Sequence, residues 1–216
     1  MTSPTPPPRA PYRIETERLV VRAYAPDDAE ALRATCARCR EHLLPYMPWA
    51  KLEPQTLAQK VELILHFRSR YDARQDYVMG IFDRETGRLL GGTGLHPRVG
   101  AGAIEIGYWI TPENEGRGLT TEAVRALILV AFEAMKIDTV VIRMDPTNTR
   151  SERIPVKLDF TREGLMRRGF RDPLSPPRDV VQYTLLDTEF AGCLWREETR
   201  TTTRAFDAIG TTIELA

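Results

Sequence analysis

Between Ile104 and Met144 the sequence changes rhythm three times, and that order admits few folds. Ile104–Ile110 reads IEIGYWI, an apolar stretch of strand character. A Pro-containing loop follows, and Gly116-Arg117-Gly118 leads straight into residues 119–135. There Ala123, Leu127, Val130 and Met135 make one apolar stripe at helical spacing, with Thr120 or Thr121 suited to the cap and Glu122 to the first turn. Thr139–Met144 is a β-branched run and therefore a buried strand. Strand, helix and strand in that order imply a parallel or splayed pair joined by a crossover.

The flanking sequence surrounds this unit with other elements. Ile14–Tyr24 reads as a first strand, and Pro26-Asp27-Asp28 opens a helix to about His42 with Ala29, Leu32 and Cys36 on one face. Leu43–Ala50 is too Pro-rich for a regular element and reads as an ordered apolar loop. Pro54, Leu57, Val61, Ile64, Leu65 and Arg68 place a second helix over residues 55–72. Tyr77–Phe82, Leu89–Leu95 and Ala103–Ile110 follow as strands in antiparallel hairpins, and a short helix at Ser151–Leu158 precedes strands at Phe160–Arg168 and Val180–Leu186. The fold class is α/β, a mixed α+β sheet flanked by helices.

Five of the 16 prolines fall in the first eleven residues, so residues 1–11 read as an extended, disordered arm. The ordered domain is expected over residues 12–188, with a Thr-rich C-terminal extension of unassigned role at 189–216.

Charge and composition exclude several classes. With 30 Lys+Arg against 30 Asp+Glu there is no basic excess for nucleic-acid binding. The longest apolar run, Ala126–Phe132, is far short of the roughly 20 residues that span a bilayer, and no signal peptide is expected. Three cysteines argue against a disulfide framework and fit a reducing cytoplasm. Cys36 and Cys39, with only His42 nearby, fall short of a zinc site and read as helix packing; no metal is expected.

The glycine turn carries the chemistry. Its glycines let successive amides converge, and together with the helix dipole they make an anion site, most naturally for phosphate, to which Arg117 adds a charge. No Gly-Lys-Ser/Thr follows, so it is not a Walker loop, and the third glycine of a dinucleotide fingerprint is missing.

Gly107-Tyr108-Trp109-Ile110, Pro112-Glu113-x-x-Gly116-Arg117-Gly118, Thr121-Glu122-Ala123, Asn148-x-x-Ser151, Lys157-Leu158-x-Phe160 and Glu163-Gly164 together resemble the GNAT superfamily of acetyl-CoA-dependent N-acetyltransferases, in its RimJ/RimL-like branch. Met47-Pro48-Trp49 supports the resemblance, which covers about residues 14–187. It implies a mostly antiparallel sheet with a central splayed parallel pair. It also implies that Glu115, Gly116, Arg117, Gly118, Leu119, Thr120 and Thr121 hold the CoA pyrophosphate, that Trp109 and Ile110 end the strand pairing with pantetheine, and that Asn148 lies beside that arm. Expected partners are acetyl-CoA and an amine, a peptide N-terminus or a small molecule; a homodimer is left open. Nucleic acid and membrane are not expected, and a cytoplasmic location is.

Acetyl transfer to an amine requires a base and a proton donor. Glu105, in an apolar strand where burial would raise its pKa, is the first candidate base, and Glu113 the second. Ser151 is the candidate acid for the thiolate, and Tyr46 and Trp49 are candidates for a substrate wall. Four residues depart from the family pattern. Glu115 sets a carboxylate beside a pyrophosphate, Thr120 replaces a smaller residue, Pro155 falls inside a helix, and Asp159 stands where glycine ends that helix. They motivate an alternative, a catalytically weak acyl-CoA-binding sensor; a second is a drug or polyamine acetyltransferase.

Overall fold

The computed structural model describes residues 9–215. Its first half runs β1 (Arg13–Glu15), β2 (Leu19–Ala23), α1 (Ala29–Leu43), α2 (Leu57–Asp72), β3 (Tyr77–Asp83), β4 (Leu89–His96) and β5 (Ala103–Ile110). Its second half runs α3 (Leu119–Leu129), β6 (Thr139–Met144), α4 (Thr149–Lys157), β7 (Thr161–Asp172), β8 (Ser175–Leu186), α5 (Asp187–Phe190), α6 (Arg196–Thr202), β9 (Arg204–Phe206) and β10 (Thr212–Ile213). The strands form one sheet in the order β10-β9-β1-β2-β3-β4-β5-β6-β8-β7. Among the described residues its only parallel pair is β5–β6, the crossover expected around α3. That pairing holds from Ala103↔Thr139 to Glu105↔Val141 and then stops, so the two strands splay.

Period-two alternation divides β5 between two cores. Ile104, Ile106 and Ile110 enter the main core with α3, whose Ala123 and Leu127 are fully buried, as is Val130 just past its end, as the stripe requires. Trp109, on the other face, packs toward α1 and α2 with Trp49. Cys36 and Cys39 are buried on α1, and burial pushes the Cys36 thiol up to about 12, as packing residues should behave. No helix among the described residues is long and apolar enough to cross a membrane.

The structure refines three readings. The stretch read as one strand from Ile14 to Tyr24 is a hairpin: Thr16 breaks it, its hydroxyl donating to Glu122 of α3 (2.6 Å) while its oxygen accepts the Leu19 amide. On α2, Leu57 and Leu65 are about half exposed, because the buried face is Lys60, Ile64 and Tyr71 and the Lys60 ammonium is neutralised by buried Glu53.

The tail, third, is no appendage. β9 pairs with β1 and β10 with β9, Phe190 stacks on Phe132 at 4.8 Å, and Arg196 donates to buried Glu133 (2.9 Å). Most of the Pro-rich arm, residues 1–8, lies outside the described residues; Ala10 is buried and the Pro11 carbonyl accepts the Tyr71 hydroxyl.

Asp159 takes the left-handed conformation (φ +63°) and accepts the Trp195 indole N–H (3.2 Å), so the tail supports a residue standing where glycine was expected. Asp159→Ala should destabilise the fold by about 2 kcal/mol, from left-handed strain plus an orphaned indole. Asp159→Gly, losing the bond but not gaining the strain, should cost less; thermal denaturation of both variants checks the order.

Candidate active site

The glycine turn is braced from behind. Asn114 is buried, its amide nitrogen donating to Thr111 Oγ1 (2.7 Å) and its oxygen accepting from Arg117 (2.7 Å). Gly118 then caps α3 in the left-handed region (φ +78°), a conformation that suits a residue without Cβ. No side chain caps this helix end, so the first-turn amides of Leu119, Thr120 and Thr121 are open donors, with the positive helix dipole behind them. That is an anion site. Arg117 departs from expectation: bound to Asn114, its side chain stiffens the turn and does not line the cavity in front of it.

That cavity, about 1500 Å³, passes through the β5–β6 splay and is lined from both faces of the sheet. On one side it meets Gly116, Gly118, Thr120 and Thr121 and, from the α4 region, Asn148, Arg150 and Ser151; on the other it meets Tyr46, Trp49 and Trp109. Beyond Glu105 the β6-facing edge of β5 has no strand partner among the described residues, so an extended amide-bearing chain can pair there by strand addition. Acetyl-CoA fits these features, with phosphates at the open helix end and the pantetheine arm along the splay.

Asn148 caps α4, its Oδ1 accepting the Ser151 amide (3.1 Å). Pro155, four residues after Ser151, has no N–H to offer the Ser151 carbonyl. The Tyr108 hydroxyl supplies the missing donor (3.0 Å) and itself accepts from Ser151 Oγ (3.1 Å). The proline thus couples Ser151 to a tyrosine that the sequence reading overlooked. Burial pushes the Tyr108 hydroxyl far above its ordinary range, so it stays protonated.

The carboxylates behave differently from expectation. Glu105 is only 5% exposed, but Arg98 (2.7 and 2.9 Å) and Arg143 (3.0 Å) both donate to it. Burial pushes its carboxyl up, and the two guanidiniums outweigh burial and hold it below its ordinary value. Glu113 is exposed and paired with Arg38 (3.1 Å); its own backbone amide, more than Arg38, keeps its carboxyl low. Neither is set up as a proton acceptor. Glu115 is paired on both sides, with His42 Nε2 (2.9 Å) and Arg150 (2.6 Å), which offsets the charge it brings to the turn.

The opposite side of the cavity is aromatic. Trp49 and Trp109 are in contact at 5.7 Å, and Tyr46 lines the same space. Arg178 of β8 donates to the Pro45 (2.8 Å) and Tyr46 (3.3 Å) carbonyls, and Lys51 to the Leu174 carbonyl (2.6 Å). The β7–β8 hairpin therefore fixes the Pro-rich loop as a wall of the cavity.

Comparison with known proteins agrees with this geometry. Residues 18–161 match the family model for the acetyltransferase (GNAT) domain. The Bacillus subtilis (strain 168) protein named "Putative ribosomal N-acetyltransferase YdaF" is 31% identical over 82% of this chain and 95% of its own length. The Escherichia coli (strain K12) [ribosomal protein uS5]-alanine N-acetyltransferase is 28% identical over 70% of this chain and 79% of its own. Mycobacterium smegmatis RimJ, solved with CoA-disulfide, shares the fold, with a TM-score of 0.72 at 20% identity over 91% of this chain and 94% of that one.

Proposed function

The chain belongs to the GNAT family of acetyl-CoA-dependent N-acetyltransferases, and from that premise we propose that it acetylates the α-amine of a peptide or protein N-terminus by direct transfer in a ternary complex. The observation that carries this reading is the single cavity joining the open end of α3 to an aromatic acceptor wall through the splay. Names among the relatives support a ribosomal-protein N-terminus as acceptor. So does chemistry, because an α-amine titrates near 8 and a lysine near 10.4, and the α-amine is more easily made neutral.

Acetyl-CoA supplies an acetyl group activated as a thioester. The amides of Gly118–Thr121 hold its phosphates, the free edge of β5 pairs with its amide-bearing arm, and Asn148 lies alongside. A β5 backbone N–H in the splay stabilises the carbonyl oxygen as negative charge develops. Ser151, in contact with the protonated Tyr108, gives a proton to the departing sulfur. Tyr46, Trp49 and Trp109 orient the acceptor.

Three of the four departures from the family pattern have structural partners: Glu115 has His42 and Arg150, Pro155 has Tyr108 through Ser151, and Asp159 has Trp195. They support turnover over a sensor role. Incubation with acetyl-CoA and a panel of N-terminal peptides and small amines, followed by free-thiol release, tests the reading. Turnover of peptides above small amines is expected. Preference for a drug-like amine or polyamine would replace the acceptor, and a CoA-induced thermal shift without turnover would make the protein a sensor. Ser151→Ala should lower kcat by about 10- to 100-fold, the range for losing one proton donor that Tyr108 and water partly replace. Its affinity for acetyl-CoA should stay unchanged in a binding titration.

A further inference from the structure

With Glu105 held as a carboxylate by two arginines, and Glu113 by its own backbone amide more than by Arg38, the transfer lacks a proton acceptor on the amine side. The register of the β3–β4 hairpin provides another group. Tyr77 lies opposite Leu95, so the next residues outward, Asp76 and His96, face each other. His96 Nδ1 is 2.5 Å from Asp76 Oδ1. An ionised carboxylate only accepts, so Nδ1 carries a hydrogen, and in the neutral ring Nε2 keeps the lone pair. Nε2 has no partner among the described residues, and the side chain is 14% exposed and lines the cavity.

The ring lies along β4 and β5 where two glycines make room for it. A Cβ on Gly94 would come within 2.7 Å of His96 Nε2, and one on Gly107 within 3.2 Å. Gly107 is two residues beyond Glu105, the last residue of β5 paired with β6, so the basic nitrogen is aimed at the mouth of the splay. That is where an amine must stand to meet a thioester threaded between the strands. Trp109, on the same face of β5, lies on the acceptor side.

We propose that His96 is the catalytic base of the transfer and that Asp76 is its positioning residue, fixing the tautomer and the ring plane. The assignment rests on the acetyl-transfer reading above. As the C–N bond forms and the C–S bond breaks, the proton lost by nitrogen goes to Nε2, and the departing sulfur takes one from Ser151; exchange with solvent resets both. The charged groups around the ring are few. Asp76 faces it from the turn before β3, with Arg70 of α2 3.9 Å from the other Asp76 oxygen. Glu105 is its cross-strand neighbour on β5, carrying Arg98 and Arg143 with it.

The test uses the full chain with acetyl-CoA and its best peptide. His96→Gln should lower kcat by about 100-fold or more, within the range for a positioned base, and leave CoA affinity within about threefold. Asp76→Asn should lower kcat by about tenfold and shift the acid limb of the kcat/KM profile, which a merely structural residue would not do. On the wild type, that limb should coincide with the titration of the His96 imidazole followed by NMR in the ligand-free protein. The NMR comparison decides the matter even where His96→Gln does not fold. A rate within threefold of wild type in folded His96→Gln, or an acid limb that does not track the imidazole, would overturn the assignment. No turnover of any amine by the wild type would remove the transfer reading and the base with it, whereas turnover surviving His96→Gln removes the base alone.

Discussion

Gly118→Asp is expected to weaken CoA binding by about 100-fold or more, close to 3 kcal/mol. Two effects add. The new carboxylate sits at the N-cap of α3, where Asp accepts from the amides two and three residues on, here Thr120 and Thr121, and so takes up the donors proposed for phosphate. It also sets a negative charge about 4–5 Å from the phosphates, which at an effective dielectric near 20 repels them by about 3–4 kcal/mol before screening. The fold itself should survive, because capping of about 1 kcal/mol offsets the strain of Asp at φ +78°. Calorimetric titration with CoA measures the loss, and a thermal melt without ligand shows the fold intact. Gly118→Ala separates the terms, since it carries the strain without the charge. Affinity for CoA within threefold of wild type in Gly118→Asp would mean that the phosphates lie elsewhere.

The turn was legible because its physics is local. A left-handed residue ahead of an apolar helix asks for glycine, and Gly118 is visible as such. The parallel pair was legible for a related reason, since an apolar strand, a long amphipathic helix and a β-branched strand leave little but a crossover. What escaped reading depends on partners far apart in sequence. The break at Thr16 is fixed by Glu122, 106 residues on, with no Gly or Pro to announce it. β9 and β10 have three and two residues, too few for a period, and become strands only by pairing with β1 and with each other. His96 and Asp76 are 20 residues apart, so neither announces the other in the sequence. Counting outward from the Glu85-Thr86-Gly87 turn would set Asp76 opposite Leu95; the irregularity between Ile81 and Phe82 shifts the register by one and brings His96 across from it. Pro155 looked like damage to a helix, and only Tyr108 from β5 shows what its missing N–H makes available.

Glu105 marks the sharpest divergence between reading and structure, and Glu105→Gln is the second large effect to expect. A carboxylate in an apolar strand was read as a base with a raised pKa; Arg98 and Arg143 reverse the direction. Gln keeps the shape but leaves two guanidiniums without their counter-charge. Removing one partner of a buried pair costs about 3–5 kcal/mol, and here about 3, because the Arg98 side chain is 55% exposed and can rehydrate. The pH dependence has a definite sign. A carboxyl whose folded pKa lies below its unfolded one stabilises the fold fully above the unfolded value and loses that contribution as pH falls through the folded value. The stability gap between wild type and Glu105→Gln should therefore be widest near neutrality and narrow below about 4.5, the ordinary glutamate value. Urea unfolding from pH 7 to pH 3 measures it. Turnover should drop less than stability does, and the acid limb of kcat/KM should persist, since His96 and Asp76 are intact. A gap that stays flat with pH, or a 100-fold loss of kcat with unaltered stability, would return Glu105 to the role of proton acceptor and take it from His96.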